Sequence, residues 1–80
     1  MEEVGKVFTY FSKVGVAGIK LTGTLAVGDT IRIKGATTDF EQRVESMQIE
    51  RTPIQKAESG ASVGIKVEDR VRPNDVVYKV

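Results

Sequence analysis

The stretch Gly23-Thr-Leu-Ala-Val-Gly-Asp-Thr-Ile-Arg-Ile-Lys-Gly35 decides the fold class of this chain. Glycines punctuate it at positions 23, 28 and 35, and glycine adopts positive φ without a Cβ clash. Gly28-Asp29 is a turn dipeptide. Directly after it, Ile31 and Ile33 alternate with Arg32 and Lys34, the spacing of a half-buried strand. The segment reads as a turn rich in positive-φ positions feeding a strand.

Outward from that segment the same signals recur. Short β-branched runs predict strands near Val4–Ser12, Val16–Thr22, Thr30–Lys34, Phe40–Glu50, Ser62–Val67 and Val76–Lys79. Turn chemistry separates them at Lys13-Val-Gly15, Gly23 to Asp29, Gly35 to Asp39, Pro53 to Gly60 and Pro73-Asn-Asp75. Ile54–Ser59 lacks a periodic apolar face and is predicted as a loop with at most a single turn. Ile31 and Ile33 share one face, as do Val63, Ile65 and Val67. Val44 breaks parity with Met47 and Ile49, and a one-residue slip would turn a strand inside out. A β-bulge near Glu45-Ser46 is expected to absorb the slip and add curvature. Strands guarded only by scattered charges favour closure. The expected architecture is all-β: a small six-stranded closed or nearly closed antiparallel β-barrel, one domain over residues 1–80.

Size and inventory narrow the chemistry. A chain of 80 residues buries roughly two-thirds of its unfolded surface. Such a core seldom supplies more than about 3–5 kcal/mol. The chain has no cysteine and no histidine, which excludes zinc ribbons, thiol redox sites and catalytic triads. Glu68-Asp69 precedes Arg70 and reads as a solvated turn rather than a tuned acid–base pair. No enzyme, metal site or cofactor is expected. No apolar run approaches the ~18 residues of a membrane span, and Met1-Glu2-Glu3 is the reverse of a basic leader. A cytoplasmic location with no membrane partner is expected. Net charge is +1, from twelve basic and eleven acidic residues. Any surface for nucleic acid must therefore come from uneven placement.

Three blocks then carry a family resemblance. They are Gly23-x-Leu-x-Val-Gly-Asp-x-Ile31; Val44-x-Ser-Met-Gln-Ile49 with Pro53, Ala57, Gly60 and Val63-Gly-Ile65; and Arg72-Pro-Asn-Asp-Val-Val77. Together they resemble the second domain of the translational GTPases, most closely the elongation factors that deliver aminoacyl-tRNA. Asn74 stands where relatives often carry glycine, and Asn tolerates the left-handed region. Gly15-Val-Ala-Gly-Ile-Lys20 has the wrong spacing for a phosphate loop, so this is the barrel without its GTPase and without a nucleotide site.

The resemblance implies a non-enzymatic, RNA-binding module of protein biosynthesis, docking on tRNA, rRNA or the ribosome. By the same likeness, Phe8 matches an aromatic lining the pocket for the charged 3′ end of tRNA. Lys6 replaces a neighbouring acidic residue there. Gln48 matches a glutamate that receives the terminal ribose hydroxyls; Gln keeps an acceptor, adds a donor and loses the charge.

The residues themselves offer a contact patch. Lys6, Phe8 and Tyr10 lie at spacing two, so one strand face presents a cation beside two rings. Bases stack on such rings for roughly 1–3 kcal/mol each; alternatively the rings cap the core. Lys13 at a hairpin tip and Arg43 on the long strand extend the patch. Arg51, Lys56, Arg70 and Arg72 are spread out, as on a solvated mixed-sign surface. A second reading is a protein-interaction or assembly subunit, like the barrel at the C-terminal end of collagenase-like peptidase-family proteins. A homodimer that enlarges the core belongs to that reading.

Overall fold

The computed structural model covers residues 1–80 and contains ten strands and no helix. They are β1 (Glu2–Phe11), β2 (Val16–Leu21), β3 (Leu25–Ala26), β4 (Thr30–Lys34), β5 (Asp39–Arg43), β6 (Met47–Ile49), β7 (Thr52–Ile54), β8 (Lys56–Ala57), β9 (Ser62–Lys66) and β10 (Val76–Lys79). Eight form one antiparallel sheet in the order β5-β4-β10-β1-β2-β9-β6-β7, and β3 pairs with β8 in a short ribbon. The all-β expectation stands.

The strands number ten rather than six: β3, β7 and β8 form in or beside Gly23 to Asp29 and Pro53 to Gly60, segments expected as turns, so the predicted loop Ile54–Ser59 carries short strands. The long strand and the closure differ as well. The predicted strand Phe40–Glu50 is two strands, and Val44 to Ser46 lie in neither. β5 pairs with β4 near one end of the sheet, whereas β6 pairs with β9 and β7 near the other. A crossing of the chain, not a bulge at Glu45-Ser46, therefore absorbs the parity slip between Val44 and Met47. The bulges sit in β1 instead, between Glu3 and Gly5 against β10 and between Val7 and Thr9 against β2. The backbone ladder is also open: β5 and β7 are edges, so the sheet is not a closed barrel.

Alternation sets the core as expected. Ile31 and Ile33 are fully buried, and Val63, Ile65 and Val67 are buried with them. The inward rows follow the register: Ile33 lies opposite Val77, Val7 opposite Ile19, Ile19 opposite Val63, and Ile65 opposite both Ala17 and Met47. Sixteen apolar residues join in one cluster. Burying each Ile or Val contributes about 1.5–3 kcal/mol.

The open sheet is nevertheless rolled. β5 and β9 stand five places apart in the order, about 24 Å on a flat sheet. Yet buried Gln42 of β5 donates from Nε2 to the Lys66 carbonyl at 2.9 Å, and its Oε1 accepts from the Glu68 amide at 2.8 Å. Val44 N–H donates to the Asp29 carbonyl and Gly28 N–H to the Val44 carbonyl, which extends the β4–β5 pairing past Arg43.

The deciding stretch behaves as two kinds of turn. Of its three glycines only Gly28 takes positive φ, at 100°. Gly35 is required by approach: a Cβ there would collide with the buried Asp75 carboxylate, which also accepts the Arg72 amide at 2.8 Å. Asn74 adopts φ of 79°, the left-handed geometry anticipated for it.

Replacing Gln42 by Leu leaves the Glu68 N–H and the Lys66 carbonyl without their side-chain partner. Urea unfolding of the Gln42→Leu variant is expected to show a loss of about 1–3 kcal/mol. An unchanged midpoint would mean that the amide does not brace the roll.

Candidate functional site

The outward face of β1, β2, β9 and β6 carries a groove of about 700 Å³, within the range of ligand pockets. Its floor is built on two paired glycines. Gly18 of β2 lies directly opposite Gly64 of β9, and Gly64 lies opposite Gln48 of β6. A Cβ on Gly18 would stand 2.6 Å from Thr9 Cγ2 and 2.9 Å from the Phe8 ring. A Cβ on Gly64 would stand 3.2 Å from Val16 Cγ1 and 3.3 Å from Gln48 Cγ. Side chains thus lean over the paired glycines from both sides, and a Cβ at either position would push Phe8 and Thr9, or Val16 and Gln48, away from the sheet.

The β1 bulge decides what lines it. Val7 faces inward opposite Ile19, and Tyr10 lies opposite inward Ala17, so Phe8 is the extra residue between them. It turns outward and is 53% exposed. Phe11, opposite Val16, is 55% exposed and Val14 in the following turn 61%. Tyr10 instead packs half-buried against the core. The shared face expected for Lys6, Phe8 and Tyr10 is therefore corrected: Lys6 and Phe8 face outward, Tyr10 inward, and Phe11 takes its place.

Of the residues singled out from the sequence, Phe8, Lys13 and Gln48 meet at this groove. Lys6 lies one row away on the same face, and Arg43 stands exposed on edge strand β5 by the Gly28 turn. Phe11, Val14, Gly18 and Gly64 went unnoticed. Isolated glycines inside strand patterns signal close approach, but only the β2–β9 register brings these two together.

Charge on this face is uneven. Lys6 and Lys20 are directly opposite each other in the β1–β2 register, a destabilising arrangement when uncompensated. Neither forms an ion pair; the ion pairs are Arg32 with Asp39 and Glu41, and Lys79 with Asp29. Lys13 and Arg51 stand at the rim beside a single acid, Glu50. Glu50 and Arg51 form the β6–β7 turn with φ of 49° and 67°, the positive values of a I′ hairpin normally filled by Asn and Gly. On the far side, Arg32 grips Asp39 through Nε at 2.8 Å and Nη2 at 3.1 Å. That hydrogen bond, with the guanidinium charge, holds the Asp39 carboxyl below its ordinary value.

Groups suited to catalysis do not converge. Asp69 accepts the Arg70 amide at 2.7 Å within an exposed turn, and Glu68 beside it is exposed. No three acidic side chains gather as a metal site.

No family model matches the chain. It is 44% identical over 77 residues to an uncharacterized protease of Methanocaldococcus jannaschii, which covers 95% of this chain and 19% of that protein. It is 41% identical over 78 residues to a collagenase of Porphyromonas gingivalis, covering 95% and 22% respectively. The chain thus spans about a fifth of the length of these relatives. In structure it is similar to the C-terminal domain of a candidate U32 peptidase of Geobacillus thermoleovorans. The TM-score is 0.94 at 23% identity, covering 99% of this chain and 100% of that one. A second structure of that domain gives 0.93.

These matches overturn the translation-factor resemblance, and the RNA-binding role in protein biosynthesis falls with it. The three blocks that suggested it are mainly turns. Val-Gly-Asp places Gly28 at positive φ and Pro-Asn-Asp does the same for Asn74, so they report turn geometry, which unrelated β domains share.

Two outcomes follow from the rim and the ion pair. Glu50→Asn with Arg51→Gly is expected to raise stability by about 1 kcal/mol by relieving two left-handed side chains; thermal unfolding measures it. Asp39, with its native value depressed, stabilises the fold above the ordinary 3.8, and that contribution is lost as pH falls through the lower native value. The melting difference between the native chain and Asp39→Asn should therefore be present at neutral pH and shrink as pH falls below 3.8, where the carboxylate begins to protonate in the unfolded chain.

Proposed function

We propose that this chain is an accessory, non-catalytic module that holds polypeptide for a peptidase- or collagenase-type protein. The observation that carries the reading is overlap along its whole length with C-terminal domains set apart from the rest of such proteins. The similarity to a protease and a collagenase over about a fifth of their length supports it too.

The site chemistry agrees. A hydrolytic site requires a nucleophile with a base in reach, or a metal. The groove offers the Ser62 hydroxyl; the chain has no histidine, and no hydrogen bond joins that hydroxyl to its cross-strand neighbour Lys20 or to any other side chain that could act as its base. What it does offer is a recessed floor, apolar walls and the Gln48 amide, features that hold a chain rather than cut one.

The test uses the Porphyromonas gingivalis collagenase with its matching segment deleted. Turnover of a short chromogenic peptide is expected to keep its kcat within about twofold, while KM for protein substrate rises, the pattern of lost binding rather than lost chemistry. A collapse of kcat on the short peptide, or cleavage of gelatin by the isolated 80-residue chain, would overturn the reading.

A further inference from the structure

We propose that the groove over Gly18 and Gly64 takes an extended polypeptide segment that combines acidic side chains with one aromatic or branched aliphatic anchor. The assignment rests on the accessory reading above and names its partner by chemistry.

The apolar half of the recognition is a place for the anchor. Phe8, Phe11 and Val14 stand together more than half exposed, an arrangement that scattered surface apolar residues do not produce. The floor beside them is low, since Gly18 and Gly64 face each other across the β2–β9 ladder and let the Phe8 ring and Thr9 methyl settle onto Gly18. A side chain entering there meets the Phe8 ring resting on Gly18 and the low Gly64 backbone beside it, the form of a pocket for a single anchor. From Lys20 to Val16 along β2 the face runs about 13 Å, the span of four extended residues.

The charged half comes from the rows that flank the floor. Lys6 and Lys20 oppose each other without an ion pair. Ser62, the β9 partner of Lys20, lines the groove, so the Lys6–Lys20 pair forms the next row of the same face. Lys13 and Arg51 add two cations at the rim, against Glu50 alone. The whole chain carries only +1, so this face is basic at the expense of a net negative remainder. An acidic segment would relieve the Lys6–Lys20 repulsion as it docks.

A polynucleotide fits this arrangement less well. Single strands are held by cations that track the phosphate path beneath stacked bases. Here the cations flank an apolar, glycine-floored centre, where phosphates would cross the Phe11 and Val14 wall. The half-buried Gln48 amide presents both a donor and an acceptor, the pairing a peptide unit requires.

The experiment titrates the 80-residue chain with a fluorescein-labelled acidic hexapeptide, two of its positions being phenylalanine and leucine. A peptide with lysine in place of every acid, oligothymidylate, and phosphatidylserine-containing vesicles are run beside it. Saturable anisotropy is expected for the acidic peptide alone, with the Gly18 and Gly64 amide resonances shifting on titration. Lys6→Glu with Lys20→Glu should weaken it by about tenfold or more, and Phe11→Ser comparably, with amide spectra verifying that each variant is folded. No saturation, indifference to the charge reversal, or tighter binding of oligothymidylate or vesicles would overturn the proposal. So would self-association in light scattering that Phe11→Ser abolishes. If binding fails while the collagenase deletion still raises KM, the accessory reading survives and only its partner is lost. Cleavage of the probe would instead strike the accessory reading.

Discussion

The side-chain amide of Gln42 joins strands that the ladder leaves five places apart, and the shape of both faces follows from that join. An eight-stranded sheet could lie open and expose its apolar side. With β5 drawn onto the end of β9, the inward residues of β1, β2, β4, β6, β9 and β10 meet in one cluster. A buried amide is costly unless satisfied; here both its donor and its acceptor are used. The roll is therefore sealed by side chain and loop rather than by a continuous backbone ladder, which leaves β7 an edge carrying Pro53 and so protected against strand addition.

On the convex side, the consequences pass through β1. One extra residue at Phe8 keeps Val7 and Tyr10 directed inward while lifting an aromatic ring out over Gly18. The same strand thus serves the core on one side of the bulge and the groove on the other. Bulges commonly re-aim a side chain next to a functional site. The left-handed Glu50 and Arg51 at the opposite rim are a second local departure from ideal geometry, and such departures cluster where binding takes place. Eight of the twelve residues that line the groove lie in paired strands and four in the two flanking turns.

Much of the fold was legible in the residues. The alternation of Ile31 and Ile33, and of Val63, Ile65 and Val67, placed two inner faces correctly because a period of two has only one inward solution. Asn74 announced its left-handed turn. Val44 to Met47 misled, because a parity break has two physical causes, a bulge or a change of strand partner, and only register distinguishes them. The groove was half legible. Phe8 and Lys13 were singled out by residue chemistry and Gln48 by the translation-factor likeness, and all three line the groove. For Tyr10 the core-packing alternative is the one realised, because the bulge before it, which leaves no composition signal, turns it inward. Gly18 and Gly64 acquire meaning only as a pair, forty-six positions apart in the chain. Lineage was legible only as the second reading, the barrel at the C-terminal end of collagenase-like peptidase-family proteins, which the comparisons favour; the blocks behind the first reading are turn chemistry common to many small β domains.

The pairing of Glu2 with Lys79 puts the first and last strands side by side in mid-sheet. Topology of this kind delays assembly: β1 has its β2 neighbour early, yet its other edge stays bare until residues 76–79 have been made. Contacts of such long sequence separation slow folding. The adjacency also means that both ends leave the domain from one place, so a longer polypeptide could carry it as a pendant or an insert with little distortion.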